Sequence, residues 1–188
     1  LLKTNISSDT VCSLKSYDRA ATKILFNMNE TIDVLIPRGG KKLIESVRKE
    51  SSIPLFSHLD GICHTYIDKF AKIQMAVDIA INAKMRRTSI CGATETILCH
   101  SAVADDIIPV LIKKLKELKC EVKGDYKVIK YDKNITKAVQ EDWSTEYLDA
   151  VVSVKIVPDL QKAIAHINKY SSGHTDAIIT EDNKNANQ

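Results

Sequence analysis

The chain has 188 residues, which is enough for one ordinary domain, or parts of two, with a buried core. Hydrophobic residues make up 44% and charged residues 27%, as in a typical globular protein. The net charge of +3 is scattered, so we expect no nucleic-acid surface. No run approaches the ~20 apolar residues of a membrane span. Five cysteines without regular spacing indicate a reducing, cytoplasmic location rather than a disulfide framework.

Strand-like and helix-like segments alternate along the chain. In chain order, the pattern predicts a strand over 32–36, a helix over 41–50, short β runs at 53–56 and 65–67, a helix over 71–85, a strand over 95–100, a helix over 104–119, a strand over 151–157, a helix over 160–170 and a strand over 177–179. Residues 120–145 are less regular, and we expect short strands and loops there. The alternation predicts an α/β architecture with a largely parallel sheet.

A glycine turn, Pro37-Arg38-Gly39-Gly40-Lys41, joins a predicted strand to a predicted helix. Two glycines allow close backbone approach to a ligand, and a helix N-terminus with nearby cations suits a phosphate group. The sequence matches neither the dinucleotide fingerprint nor the Walker loop. From these residues alone, a plain turn remains an open alternative.

A cysteine, Cys91, lies in a loop of small polar residues between a predicted helix and a predicted strand. The cations Arg86 and Arg87 just upstream would favour a thiolate nucleophile. The alternative is a structural cysteine. The segment 141–149, with several carboxylates and the only tryptophan, is open to acid–base work or to a solvated loop. The histidines show no metal-ligand spacing, so we expect no metal site.

Several of these segments together resemble the glutamate-5-semialdehyde dehydrogenase (gamma-glutamyl phosphate reductase) family of the aldehyde dehydrogenase superfamily. The similar stretches occur in order over essentially the whole chain. They are 33–41, 58–64, 82–84, Ile90-Cys91 with Glu95-Thr96, 141–149, 172–174, 176–178 and 180–182.

The resemblance implies that Cys91 is the catalytic nucleophile. It would attack the acyl carbon of L-glutamyl 5-phosphate, expel phosphate and form a thioester. Reduction with NADPH would then release L-glutamate 5-semialdehyde on the path to proline. Superfamily members that hydrolyse a thioester carry a glutamate base where this chain has residues 58–61, and its absence here fits transfer to phosphate rather than to water.

The resemblance also assigns binding residues. The cofactor NADP(H) would contact seven positions: Arg38, Gly39, Gly40, Lys41, His58, Leu59 and Asp60. The substrate would contact Asn82 and Glu146.

The fold implied by the resemblance is aldehyde-dehydrogenase-like, with two partial domains. Residues 1–88 would form the second half of the NADP-binding domain, and residues 89–188 the first part of the catalytic domain. Family members are more than twice as long, so we expect this chain to be part of a longer protein, completed by self-association or by a second chain. The alternative is a truncated, inactive remnant or binding module of the same fold.

Four positions depart from the usual family pattern. Gly92 replaces an asparagine, Ser89 a glycine, Met85 a threonine and Lys42 a glycine. Because a replaced glycine can shift a loop and a small misplacement slows chemistry, these departures would alter the site.

Overall fold

A computed structural model describes residues 6–57 and 60–188 of the chain. The chain divides into two compact units, residues 1–59 and residues 60–188, and each is described by itself. Within the described residues, no helix is long and apolar enough to cross a membrane.

The first unit is built from two helices and a short extended pair. A 3₁₀ turn at Ser8–Thr10 precedes α1 (Arg19–Leu25) and α2 (Lys41–Glu50), and α2 has the predicted bounds. The two helices are joined by an ion pair of 3.1 Å between Lys23 and Glu50. The small core of this unit consists of Phe26, Ile44, Val47 and Ile53.

The run predicted as a strand over 32–36 forms only one parallel bridge, between Leu35 and Leu55. The Leu35 N–H donates to the Pro54 carbonyl over 2.9 Å, and the Phe56 N–H donates to the Leu35 carbonyl over 2.9 Å. An apolar run becomes a strand only where neighbouring backbone supplies hydrogen-bond partners. Among residues 6–57, only the backbone of Pro54 and Phe56, around the single bridge to Leu55, pairs with this run, and the strand prediction is therefore wrong for this chain.

The second unit contains a six-stranded sheet. Its strands are β1 (Cys63–Ile67), β2 (Thr94–His100), β3 (Glu121–Gly124), β4 (Thr136–Lys137), β5 (Val151–Val157) and β6 (Asp176–Ile179). The order across the sheet is β4-β3-β5-β2-β1-β6, and every pairing is parallel. The α/β class with a parallel sheet is confirmed, and β5 has the predicted bounds.

Helices cover both faces of this sheet, as parallel sheets require. The larger core lies between one face and the helices α3 (Ile73–Met85) and α4 (Ala104–Glu117). The smaller core, around Tyr66 and Leu98, lies under α5 (Leu160–Tyr170). Successive strand residues alternate between the two cores, with Ile97 and Cys99 in one and Leu98 in the other. A short helix, α6 (Asn183–Ala186), follows β6.

The segment 113–119 is rich in lysine, and its lysines lie mostly on the solvent side of α4. The apolar residues Ile108, Leu111 and Leu115 are buried against the sheet, while Lys113 and Lys116 are exposed. The helix ends at Glu117, two residues before the predicted end, because Lys119 adopts a left-handed backbone with φ of 59°.

Along the chain, the division between the two compact units falls between residues 59 and 60, whereas the sequence predicts a domain boundary between 88 and 89. The elements β1 and α3 precede residue 88, yet β1 pairs with β2 and β6, and α3 packs on α4. Which residues form the NADP-binding and catalytic domains stays a prediction.

Candidate active site

The motif residues around Cys91 gather at one edge of the sheet. Gly61 precedes β1, Cys91 precedes β2, Glu146 precedes β5 and His174 precedes β6. These four strands are neighbours, and parallel strands begin at the same edge. The candidate site therefore lies at the amino ends of the strands, although open α/β sheets usually bind ligands at the carboxyl ends.

A tight turn presents the Cys91 thiol. The Ala93 N–H donates to the Ile90 carbonyl over 3.0 Å, so Cys91 and Gly92 are the two central residues of the turn. Cys91 is a free, exposed cysteine. This position leaves the thiol accessible to a substrate.

The backbone of Cys91 packs directly on Gly61. A Cβ atom added at Gly61 would lie 2.0 Å from the Cys91 carbonyl oxygen and 2.8 Å from its Cα. No side chain fits at that distance from main-chain atoms. Gly61 is thus required by close approach, and it fixes where the nucleophile loop lies.

A second cysteine, Cys63, holds the same carbonyl. Its thiol donates to the Cys91 carbonyl oxygen over 3.1 Å and is buried. Burial raises the pKa of Cys63 to about 11. The Cys63 thiol therefore stays protonated at neutral pH and acts as a hydrogen-bond donor.

Side chains from two distant segments fix the chain just before β1. The Gly61 N–H donates to Glu146 Oε1 over 2.8 Å. The Ile62 N–H donates to Ser172 Oγ over 3.0 Å, and the Ser172 N–H returns a bond of 3.4 Å to the Ile62 carbonyl. Glu146 and Ser172 thereby hold Gly61 against Cys91.

A β-bulge beside the nucleophile loop directs Glu95 into the interior. Cys63 pairs with Thr94 and His64 pairs with Thr96, so Glu95 is the extra residue of β2. Glu95 Oε2 lies 2.5 Å from Lys84 Nζ on α3, and both side chains are fully buried. Burial raises the pKa of the Glu95 carboxyl, while the hydrogen bond from Lys84 acts in the opposite direction.

The same carboxylate also reaches the segment before β5. Glu95 Oε1 accepts a bond of 3.3 Å from the Leu148 N–H, and Leu148 has a left-handed backbone with φ of 54°. The Lys84–Glu95 pair thus connects α3 and β2 to the loop that carries Glu146.

Asn82, a predicted substrate residue, lies on the exposed side of α3. It lines a shallow groove of about 730 Å³ with Met75, Asp78 and Ile79. Its neighbour Lys84 points into the core instead. A substrate contact for Asn82 stays a prediction.

The glycine turn of the first unit leads into α2. Gly39 has a φ of +155°, and a Cβ added there would lie 2.7 Å from Leu43 Cδ2. Gly40 is the N-cap residue, and no side chain of the described residues caps the helix there. Arg38 is exposed beside it. An open helix N-terminus with bare glycines and a cation fits the phosphate groups of a dinucleotide.

A groove of about 800 Å³ lies between α1 and α2, next to this turn. Its lining includes the cations Arg19, Lys23 and Lys42 and the apolar residues Phe26 and Leu43. A groove with apolar walls and cations at its rim suits a nucleotide with an anionic group.

The chain is similar in sequence to curated proteins that share one name. No protein-family model matches the chain. Gamma-glutamyl phosphate reductase from Rhodospirillum rubrum is 49% identical over 177 residues, covering 94% of this chain and 42% of the relative. The protein of the same name from Methylorubrum populi is 45% identical over 187 residues. That match covers 99% of this chain and 43% of the relative. The chain therefore spans less than half the length of these relatives.

A solved structure gives the same answer. Gamma-glutamyl phosphate reductase from Thermotoga maritima superposes with a TM-score of 0.87 at 35% identity, covering 99% of this chain and 45% of that one. The chain resembles an internal part of a gamma-glutamyl phosphate reductase. An acetylating aldehyde dehydrogenase from Geobacillus thermoglucosidasius, at TM-score 0.66 and 20% identity, shares the fold. The aldehyde-dehydrogenase-like fold is thus confirmed.

The residues predicted for the site fall into four groups, of which Asn82 on α3 is one by itself. Cys91 and Glu146 both contact the segment Gly61–Cys63 and so belong to one cluster. Arg38, Gly39 and Gly40 lie together in the first unit, where Lys41 opens α2. His58 and Leu59 lie outside the described residues, and Asp60 is the first described residue of the second unit.

Four further residues around the candidate site had no predicted role from sequence. Cys63 contacts Cys91 and His174, while Ser172 and Asp176 accept hydrogen bonds from the backbone N–H groups of Ile62 and His64. These four residues are Cys63, Ser172, His174 and Asp176. The one feature of the sequence that could have pointed to these residues is their position, because each lies at the start of a strand or shortly before one. That signal is informative only once the strand order is known.

Proposed function

We propose that this chain carries the thiol site of an NADPH-dependent reductase that converts L-glutamyl 5-phosphate to L-glutamate 5-semialdehyde. The observation that carries the proposal is the Cys91 turn, which presents an exposed thiol on a backbone held by Gly61 and Cys63. The names of the relatives supply the substrate class.

In the proposed reaction, the Cys91 thiolate attacks the acyl carbon of the substrate. A C–S bond forms, the bond to the phosphate oxygen breaks, and phosphate departs, which leaves a thioester on Cys91. A bound nicotinamide cofactor supplies the hydride that reduces this thioester. Collapse of the resulting hemithioacetal returns the Cys91 thiolate and releases the aldehyde.

The fixed turn would support this chemistry by positioning. A nucleophile held by close main-chain packing loses little entropy when it attacks, and orientation of this kind lowers barriers substantially. The buried Lys84–Glu95 pair stabilises the loop from behind, so neither residue is proposed to contact substrate.

The cofactor would bind the first unit, with Arg38, Gly39, Gly40 and Lys41 near its phosphates. His58, Leu59 and Asp60 would lie near the nicotinamide, as the family resemblance implies. Cations on the groove between α1 and α2 favour NADPH over NADH, because the 2′-phosphate adds negative charge there. Lys42, where the family usually has glycine, adds one of these cations.

Asn82 and Glu146 would help to bind the substrate, and the reaction would take place in the cytoplasm. The chain covers 42% of its Rhodospirillum rubrum relative, and the proposed partners are a further copy of this chain or a complementing chain. The competing proposal is an inactive remnant or binding module that keeps the same fold.

The test is NADP⁺ reduction by the purified chain with glutamate 5-semialdehyde and phosphate. We expect activity that Cys91→Ala abolishes and that Cys12→Ala, which removes the other exposed cysteine, leaves unchanged. A folded wild-type chain with no activity above the Cys91→Ala variant would favour the remnant.

A further inference from the structure

A row of polar side chains crosses the sheet beneath α5. The strand register places Ser153 beside Thr96, Thr96 beside His64, and His64 beside Asp176. Successive residues of a strand point to opposite faces, and these four side chains lie on the face that carries the smaller core. We call these four residues the polar row. Three of them, Ser153, Thr96 and His64, are fully buried, so each needs a hydrogen-bond partner.

The two ends of the polar row have partners within the protein. Ser153 Oγ lies 2.7 Å from the Tyr147 hydroxyl. At the other end, Asp176 Oδ1 lies 3.1 Å from His64 Nδ1, and Asp176 Oδ2 accepts from Ser171 Oγ over 2.7 Å.

The middle of the polar row is different. In the described parts of the chain, three buried side-chain polar atoms have no hydrogen-bond partner: His64 Nε2, Thr96 Oγ1 and His166 Nε2. His166 lies on α5 directly above the row, with its ring centroid 5.5 Å from that of His64 and the two rings 75° apart. All three atoms therefore belong to one layer between α5 and the sheet. An unpaired buried polar atom is costly, so three in one layer indicate a bound polar ligand.

The other ring nitrogen of each histidine determines what its Nε2 can do. The Asp176 carboxylate only accepts, so His64 Nδ1 donates to it, and Nε2 of the neutral His64 ring is an acceptor. The Lys155 ammonium only donates and lies 3.2 Å from His166 Nδ1, so the proton of the neutral His166 ring is on Nε2. The layer thus offers one donor, one acceptor and the Thr96 hydroxyl, which can do either.

Water matches this set of groups. Two hydrogen bonds of about 2.9 Å through one water molecule join atoms up to about 5.8 Å apart, and the two imidazole rings lie in this range. A metal ion does not fit, because His166 Nε2 carries a proton and a metal ligand needs a lone pair. An apolar molecule would leave all three atoms unpaired.

We propose that ordered water is bound in the layer between α5 and the polar row. It accepts from His166 Nε2–H, donates to His64 Nε2 and hydrogen-bonds the Thr96 hydroxyl. The bound water thereby joins α5 to β1 and β2 near the strand ends that follow Gly61 and Cys91. This site is independent of the proposed reductase chemistry, and it would be present in an inactive chain of the same fold.

The variant Thr96→Val tests the proposal, because a hydrated layer and a dry layer predict opposite effects. Valine keeps the shape of threonine and removes the hydroxyl. If water bonds that hydroxyl, the water loses a partner, and we expect the folding equilibrium constant to fall about tenfold. In a dry layer the variant would lose an unpaired hydroxyl and be as stable as wild type or more stable. Urea unfolding is followed by the fluorescence of Trp143, the only tryptophan, whose ring lies 5.4 Å from that of His166.

The matched control is Thr65→Val on the neighbouring strand β1. Thr65 is also buried, but its hydroxyl lies 2.7 Å from the Thr94 hydroxyl. Its loss leaves the Thr94 hydroxyl without this partner, so Thr65→Val should also lower the folding equilibrium constant about tenfold. This control shows that the assay registers the loss of one buried hydrogen bond.

A crystal structure of the whole wild-type chain locates the water directly. We expect density for an ordered water about 2.7–3.2 Å from at least two of the three atoms, His64 Nε2, Thr96 Oγ1 and His166 Nε2. A crystal held under xenon pressure should show no xenon in this layer, because xenon enters dry apolar cavities. The proposal is overturned by xenon in the layer, by a layer without ordered water, or by a Thr96→Val chain that is at least as stable as wild type.

Discussion

At the scale of single residues, the site depends on how closely Gly61 approaches Cys91. Gly61→Ala would place a Cβ 2.0 Å from a main-chain oxygen, so the turn must move. We expect alkylation of Cys91 by iodoacetamide to slow about 100-fold, the order of loss that follows a misplacement of about 1 Å.

The matched control for Gly61→Ala is Gly92→Ala in the same turn, where the added Cβ meets one atom at 3.9 Å. Peptide-level rates of alkylation and the unfolding midpoint of each variant check both predictions. Equal reactivity in the two variants would contradict the packing argument.

The buried pair Lys84 and Glu95 gives a second residue-scale prediction. Removing one partner leaves a buried charge without its counter-ion, which costs about 3–5 kcal/mol. Lys84→Met should therefore lower the free energy of unfolding by that amount in urea denaturation. The double variant Lys84→Met/Glu95→Leu should lose less than Lys84→Met alone, and a larger loss would show that the charges do not interact as described.

At the scale of elements, α5 makes stability depend on pH through His166. Burial, with Lys155 nearby, lowers the pKa of His166 to about 3, while an unfolded histidine titrates near 6.5. Between these values the unfolded chain binds the proton and the folded chain does not. Stability from this group is therefore complete above pH 6.5 and is lost as pH falls toward 3.

The expected loss from His166 is about 2 kcal/mol at pH 5, since each pKa unit is worth about 1.4 kcal/mol. His166→Phe keeps an aromatic ring beside Trp143 and Tyr170 and should flatten stability between pH 5 and 7. Asp142 and Asp176, whose pKa values are lowered, lose their contributions only at more acidic pH. Urea unfolding midpoints measured at each pH test this prediction. If the stability of His166→Phe changed with pH as steeply as that of wild type, the assignment to His166 would be contradicted.

The preference for NADPH over NADH can be tested at the groove between α1 and α2. Arg19→Glu reverses a charge on its lining. We expect NADPH binding, followed by fluorescence, to weaken about tenfold, because a charge-assisted contact is worth about 1.5–3 kcal/mol. NADH binding should change little, and Lys15→Glu, outside the groove lining, serves as the charge-matched control.

Elements were predictable from sequence where local pattern suffices. The β-branched run 151–157 and the amphipathic run 160–170 form β5 and α5 with the predicted bounds. The run 32–36 has an equally apolar pattern but lacks strand neighbours in its unit, and sequence alone does not reveal that.

At the scale of the whole molecule, the site combines residues that are far apart along the chain. Cys91 was identifiable because its motif is compact, whereas Cys63, Ser172 and His174 reach it only through the parallel order β5-β2-β1-β6. Because these strands are parallel neighbours, the segments that precede them lie at one edge of the sheet. A sequence pattern does not contain that order, so these residues could not be assigned beforehand.

The central claim is that Cys91 is the nucleophile for an acyl phosphate. The most direct measurement supplies glutamyl 5-phosphate to the purified chain, formed in the same tube from glutamate and ATP by a glutamate kinase, and looks for a covalent adduct by mass spectrometry. The account predicts a glutamyl thioester on the Cys91 peptide, absent when ATP is omitted and unaffected by Cys12→Ala. A correctly folded chain whose Cys91 stays unmodified while acyl phosphate is present would contradict it.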